Sequence, residues 1–204
     1  MMKVTKKSDD GVTSVVFAGV GGQGVLLVAR VLSEAALRSG LDVKSSEVHG
    51  MAQRGGSVLA QVRFGGKVYS PLTPEGQGDY LLAFEELEAL RYRHRLKKGA
   101  RVILQLCRIF PAPVASGGVS YPENAAGTLH QEGFRLSTAS HEEIDAATGS
   151  IRFANIYLLG MLSGDLGFKF PVWEEALAVS VPERFREVNW KAFVRGREKR
   201  LSPP

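Results

Sequence analysis

The sequence predicts an α/β fold with a mainly parallel central sheet, and three observations predict it. Residues 13–18 end in the apolar run Val15-Val16-Phe17-Ala18 and lead into the glycine-rich turn Gly19-Val20-Gly21-Gly22-Gln23-Gly24, after which residues 25–39 are rich in Leu, Val and Ala. A second strand–helix–strand pattern spans residues 79–106. Residues 153–162 are apolar nearly all round, as a helix inside a core must be.

In chain order, residues 13–18 read as a buried strand and residues 25–39 as a helix stopped by Gly40. Residues 41–45 form a second strand, so the opening is a βαβ half. Val58, Ala60, Val62 and Phe64 alternate along a strand, Gly65-Gly66 makes a turn, and residues 67–70 return, which is a hairpin signal. Residues 71–78 are a proline-bearing loop and residues 79–84 a strand. Residues 85–98 read as a helix, acidic first and basic last in keeping with its dipole. A buried strand follows at 100–106, then an irregular stretch rich in Pro, Gly and Ser at 109–127. Residues 134–137 are a short strand and 142–147 a short helix. Gly164 and Gly167 end the apolar helix, Pro171 starts another, and Pro182 precedes the last.

The chain has 204 residues, of which 44% are hydrophobic, enough for one core and no more than a small excursion. One domain over residues 1–204 is expected, with loose ends at 1–11 and 201–204. No run approaches the ~18 apolar residues of a membrane span, and the amino-terminal lysines precede no apolar segment, so no membrane partner is expected and the cytoplasm is the expected compartment. The net charge of +5 is concentrated in the runs 91–101 and 195–200. A solvated helix end accounts for such runs, as does an acidic partner; no nucleic-acid motif accompanies them, and no nucleic-acid partner is expected.

Cys107 is the only cysteine, so this chain alone cannot furnish the four thiolates of an iron–sulfur cluster. It follows an apolar run and reads as a strand-end residue rather than a nucleophile. His94, His130 and His141 lack metal-ligand spacing, and no metal site is expected. Gly117-Gly118 has no Walker lysine–serine pair behind it. Gly164-Asp165 followed by Asn189 is a fragment of a thiamine diphosphate magnesium motif, but Trp190 stands where its second Asn belongs.

Two segments carry candidate chemistry. Gly19, Gly21 and Gly24 match G-x-G-x-x-G between a strand and a helix, where backbone N–H groups can approach an anion. Gly22 and Gln23 complete that turn, and Glu47, 23 residues beyond Gly24, lies near where a ribose-binding acid would sit. The second segment is Ser46-Glu47-Val48-His49-Gly50-Met51-Ala52-Gln53-Arg54-Gly55-Gly56-Ser57. Glu47, His49, Gln53 and Arg54 are an acid–base cluster, a carboxylate clamp or a subunit-facing loop; Arg54 can grip a carboxylate or phosphate with two bonds. Gly19, Gly21, Gly22, Gln23, Gly24, Gly55 and Gly56 are the candidate cofactor-facing residues. A parallel sheet would bring both segments to one edge, where such sheets bind ligands.

These two motifs, with Ile109, Pro111, Val114, Gly117, Tyr121 and Pro122 in the irregular stretch and Asn155-Ile156-Tyr157-Leu158-Leu159-Gly160 in the apolar helix, resemble the γ-type component of 2-oxoacid:ferredoxin oxidoreductases. The run His49-Gly50-Met51-Ala52-Gln53 resembles the indolepyruvate branch, whose small (β) subunit is the nearest type. Relatives often carry an Asn-Asp-type pair where this chain has Gln105-Leu106-Cys107. The resemblance implies a layered domain like domain III of pyruvate:ferredoxin oxidoreductase, with a parallel sheet covered by helices on one side and a small antiparallel sheet on the other. It implies a large (α) partner subunit carrying thiamine diphosphate, Mg and [4Fe-4S] clusters, coenzyme A as co-substrate and ferredoxin as acceptor. The reaction implied is oxidative decarboxylation of an aryl 2-oxoacid to an acyl-CoA, with the isolated chain inactive. A stand-alone dinucleotide-binding oxidoreductase and a noncatalytic assembly subunit are the alternatives.

Overall fold

A computed structural model describes residues 11–49 and 56–201. Six strands form one mixed sheet in the order β2-β3-β1-β4-β5-β6. They are β1 (Val12–Val20), β2 (Asp42–His49), β3 (Ser57–Gly65), β4 (Gly78–Ala83), β5 (Leu96–Leu106) and β6 (Arg135–Ser140). β1, β4, β5 and β6 pair in parallel, while β3 runs antiparallel to both β1 and β2. β2 therefore points the same way as β1 without touching it. The expected βαβ half exists, with β3 inserted into it.

That insertion overturns the hairpin expected at residues 57–70. Both edges of β3 are filled, by β1 and β2, so no edge is left for a return strand. Residues 67–70 are irregular instead, and the Asp42 carboxylate receives the Val68 N–H at 2.8 Å. The antiparallel component of the fold lies within the main sheet rather than beside it.

Helices cover both faces, not one. Val15, Phe17, Leu82 and Ile103 face a core built with α1 (Val25–Arg38), α5 (His141–Thr148), α6 (Ala154–Ser163), α7 (Phe170–Ser180) and α8 (Arg186–Leu201). Val16, Ala18, Leu81, Ala83, Val102 and Leu104 face α2 (Glu86–Tyr92) and α4 (Ala125–Gln131). Burial on both faces is why these strands read as near-continuous apolar runs. α6 is buried over its whole length. It crosses α8 so closely that a Cβ on Gly196 would lie 1.9 Å from the Tyr157 carbonyl oxygen, and one on Gly160 would lie 2.1 Å from that of Phe193.

The helix expected over 85–98 ends at Tyr92; after a short 3-10 turn, Leu96 is already in β5, buried and in register with Gly78. The stretch 109–127 contains the short α3 (Ala112–Ala115) and the start of α4, capped by Asn124. Gly11 and Leu201 belong to the ordered fold, Leu201 as the last residue of α8, while residues 1–10 and 202–204 lie outside the described residues.

Candidate functional site

β1 leads into α1 on one face of the sheet and β4 leads into α2 on the other, so the crossing direction switches between these neighbours. The crevice beyond the carboxyl ends of β1 and β4 is where sheets of this class bind ligands. The glycine turn forms one wall. Gly19 is there for packing: a Cβ would sit 2.9 Å from Gln23 Oε1 and 3.2 Å from Phe84 Cβ. Gly24, at φ +75°, starts α1 in a left-handed conformation and leaves room for Asn155, whose Nδ2 donates to the Gly24 carbonyl at 3.4 Å. Gly22, at φ +103°, is exposed.

Gln23 spans the crevice floor. Its Oε1 accepts from Val20 N–H at 2.9 Å and its Nε2 donates to the Phe84 carbonyl at 2.7 Å. The side chain is thus a clamp between the ends of β1 and β4, with both ends of its amide occupied. Gly21 N–H donates to the Gly56 carbonyl at 2.9 Å. That bond joins the two segments singled out in the sequence at one edge of the sheet. Gly55, Gln53 and Arg54 lie outside the described residues. The His49 backbone ends β2 opposite Val58. Glu47 is exposed on β2, opposite Ala60, and lines a groove of about 370 Å³ with Leu26, Leu27, Arg30, Ser33 and Ser45. Because β3 intervenes, Glu47 is two strand spacings from β1, roughly 10 Å. An acid gripping a ribose beside the glycine turn belongs on the adjacent strand, so the geometry does not favour a dinucleotide site.

The other wall was not singled out in the sequence. Glu85, Glu86 and Glu88 open α2 and are buried, with 1%, 7% and 3% exposure. Their charges lie at a helix amino terminus, which favours them. Glu85 caps α2 by accepting from Glu88 N–H at 2.9 Å, and its other oxygen accepts from Ile109 N–H at 3.1 Å and from the Tyr121 hydroxyl. Tyr121 also accepts from Leu87 N–H at 3.1 Å, and burial with the Glu85 contact drives its phenol pKa far up. Glu86 holds Arg108 Nε at 3.2 Å, and its N–H donates to the Cys107 carbonyl at 3.0 Å. Glu88 Oε2 accepts from Ser57 Oγ at 2.5 Å and Oε1 from Arg91 Nε at 3.1 Å; burial raises its pKa against both partners. The available signal was the carboxylate run directly after the apolar stretch Leu81-Leu82-Ala83-Phe84.

Cys107 sits half-buried at the end of β5, as expected. Burial, then the charges of Glu85 and Glu86, raise its thiol pKa, the opposite of an activated nucleophile. The basic run 91–101 is largely consumed inside the fold. Arg91 pairs with Glu88, Arg93 with Glu132, Lys97 with Asp79 and Arg101 with Asp165, while Arg95 donates to the Thr73 carbonyl. Among the described residues no cluster of His, Cys, Asp and Glu could hold a metal, and no helix is long and apolar enough to cross a membrane.

The family model for pyruvate ferredoxin/flavodoxin oxidoreductase matches residues 14–199. The chain belongs to this oxidoreductase family. Within it, the chain is 42% identical over 190 residues to the indolepyruvate oxidoreductase subunit IorB of Thermococcus kodakarensis, covering 90% of this chain and 93% of that protein. It is 40% identical over 185 residues to IorB of Pyrococcus horikoshii, covering 88% and 92%. Its fold matches the keto/oxoacid ferredoxin oxidoreductase γ subunit of Geobacter sulfurreducens with a TM-score of 0.67 at 27% identity, over 94% of this chain and 99% of that one. The oxidoreductase family assignment and the mixed α/β sheet agree with the resemblance in the glycine turn and the Ser46–Ser57 motif.

Proposed function

We propose that this chain is the small subunit of a 2-oxoacid:ferredoxin oxidoreductase, acting in the oxidative decarboxylation of an aryl 2-oxoacid, indolepyruvate or a close analogue, to an acyl-CoA with reduction of ferredoxin. The observation that carries this reading is the 42% identity to an indolepyruvate oxidoreductase subunit over nine-tenths of the chain. The large partner subunit carries thiamine diphosphate, Mg and the [4Fe-4S] clusters, and thiamine supplies the carbanion chemistry when bound. With one cysteine, this chain cannot furnish a cluster's four thiolates. Its own part is to bind and orient.

The fit of the glycine turn to coenzyme A phosphate is partial. Val20, Gly21 and Gln23 spend their amides inside the protein, which narrows the phosphate-facing part to the exposed Gly22 and the first turn of α1. That turn carries no acidic residue to repel an anion. In this reading Glu47, His49, Gln53 and Arg54 serve the subunit interface, Arg54 gripping a carboxylate of the substrate or of the partner subunit.

The test is 2-oxoacid-dependent dye reduction with thiamine diphosphate, Mg and coenzyme A added, by the pure chain and by the chain co-expressed with its partner. Silence alone and turnover together is the expected result. Turnover by the chain alone, or tight binding of a nicotinamide or flavin cofactor, would sink this reading. A complex that keeps full turnover but loses stability without this chain would make it an assembly subunit.

A further inference from the structure

We propose that Glu88 is a positioning residue: acting through Ser57, its carboxylate fixes the junction between the glycine turn and the start of β3, and the uptake of one proton there reverses the hydrogen-bond chain at that junction. The glycine-turn wall and the acidic wall of the crevice meet at Ser57. Ser57 is in register with Val20, the carbonyl of the preceding Gly56 accepts the Gly21 N–H at 2.9 Å, and Ser57 Oγ lies 2.5 Å from Glu88 Oε2. A serine hydroxyl has one proton, and the carboxylate takes it. The Tyr92 hydroxyl, 3.0 Å from Ser57 Oγ, must then be the donor of that contact. The direction is Tyr92 to Ser57 to Glu88, and only an ionised Glu88 imposes it. When a solvent proton settles on Oε2, the carboxyl becomes a donor. Ser57 must accept from it, and its own proton has to turn toward Tyr92 or be left without that acceptor.

The chemistry of the position supports a role beyond packing. Glu88 is 3% exposed on α2, the helix that packs on the smaller core through Ala89, and a buried carboxylate is costly to keep there. Buried acids wired into a crevice are where functional groups concentrate. Among the described residues, few charges act on this one. On its own segment these are Arg91, bonded to Oε1, Glu85 at the helix cap and the Tyr92 hydroxyl beside Ser57; from β3 there is the Ser57 hydroxyl. β1 carries no titratable side chain, and α4 carries only His130, which is exposed. Asp79 and Tyr80 of β4 and Lys97, Lys98 and Arg101 of β5 lie toward the opposite ends of those strands, and the 3-10 turn directs Arg93 to Glu132, His94 toward Glu75 and Arg95 to Thr73. A Gly21 titration that disappears in Glu88→Gln is assignable to Glu88.

The experiment has two arms. In the full-length chain labelled with ¹⁵N, the Gly21 and Ser57 amide resonances are followed against pH in wild type, Glu88→Gln and Ser57→Ala. The expected result is one inflection above the ordinary glutamate value in wild type, absent from both variants. In the complex with the partner subunit, the acid limb of kcat/KM for coenzyme A is compared among wild type, Ser57→Ala and Ser57→Thr. Loss of the limb in Ser57→Ala and its return in Ser57→Thr are expected, whereas a merely structural serine would change the yield of complex and leave the limb in place. This arm rests on the function proposed above. If the wild-type complex has no turnover, that function fails and the resonance arm alone decides the role of Glu88. A Gly21 inflection that survives Ser57→Ala, or an acid limb unmoved in an active Ser57→Ala complex, overturns the proposal.

Discussion

The crossing of α6 with α8 and the acidic wall of the crevice are both buried, by opposite means. At the crossing, Gly160 and Gly196 remove side chains so that backbone meets backbone, and burial is a matter of shape. At the wall, Glu85, Glu86 and Glu88 keep charged side chains, and burial is a matter of satisfying them. Shape complementarity fails when an atom is added. A satisfied polar cluster fails when an atom is removed, because its partners are stranded without water.

The largest effect should come from adding one atom at the crossing. Gly196→Ala puts a Cβ 1.9 Å from the Tyr157 carbonyl oxygen, and no side chain stands between to yield. We expect a loss of about 4 kcal/mol, above the usual overpacking range of about 1–3 kcal/mol, because two helix backbones must separate. Thermal unfolding should fall by roughly 10 °C for a chain of this size. A change under about 1 kcal/mol would mean the crossing can open cheaply.

Next in size is removing atoms at the wall. Glu85→Ala strands the amides of Glu88 and Ile109 and the Tyr121 hydroxyl. Denaturant unfolding should report a loss of about 2–3 kcal/mol, the scale of hydrogen bonds to a charged group. Smaller still is a pH effect. The folded pKa of Glu88 lies above its ordinary value, mainly through burial. Between the two values the folded chain holds a proton that the unfolded chain has lost, so stability is full below the ordinary value and declines as pH rises toward the folded one. Glu88→Gln should remove that decline, measured as the difference between the stability–pH curves of the two proteins. The smallest effect belongs to neither region. Arg38→Ala breaks the exposed pair with Glu175 and should change stability by under about 0.5 kcal/mol.

Much of this was legible in the sequence, and the gaps have physical causes. β1, the glycine turn, α1 and α6 were plain because apolar runs and glycines act locally. The place of β3 was not, since alternation identifies a strand but not which neighbours fill its edges. The end of α2 was misread because the basic run 91–98 suits a helix terminus, while the pairing of Leu96 with Gly78 lies 18 residues away in sequence. On the site, the glycine turn and the Gly56 end of the polar segment were rightly joined. Gln23 looked like a ligand contact because nothing local reveals that Val20 and Phe84 occupy its amide. Glu85 and Glu88 went unnoticed because an acidic helix start looks solvated until Tyr121, Ile109 and Ser57 arrive from distant segments.

The insertion of β3 also sets an order of events during synthesis. β1 leaves the ribosome first, yet one of its edges waits for residues 57–65 and the other for residues 80–83. β2 and β3 are near neighbours in the chain and can pair as soon as both are made, since short closures cost little entropy. For the time it takes to make some forty-five more residues, until 60–62 arrive, Val15, Val16 and Phe17 have no strand beside them, and their second edge waits for residues 80–82. At about 5–20 residues per second that is roughly two to nine seconds. β1, at the centre of the sheet, stays open on one edge until β4 is made, and a newborn chain is prone to stick to its neighbours during that interval.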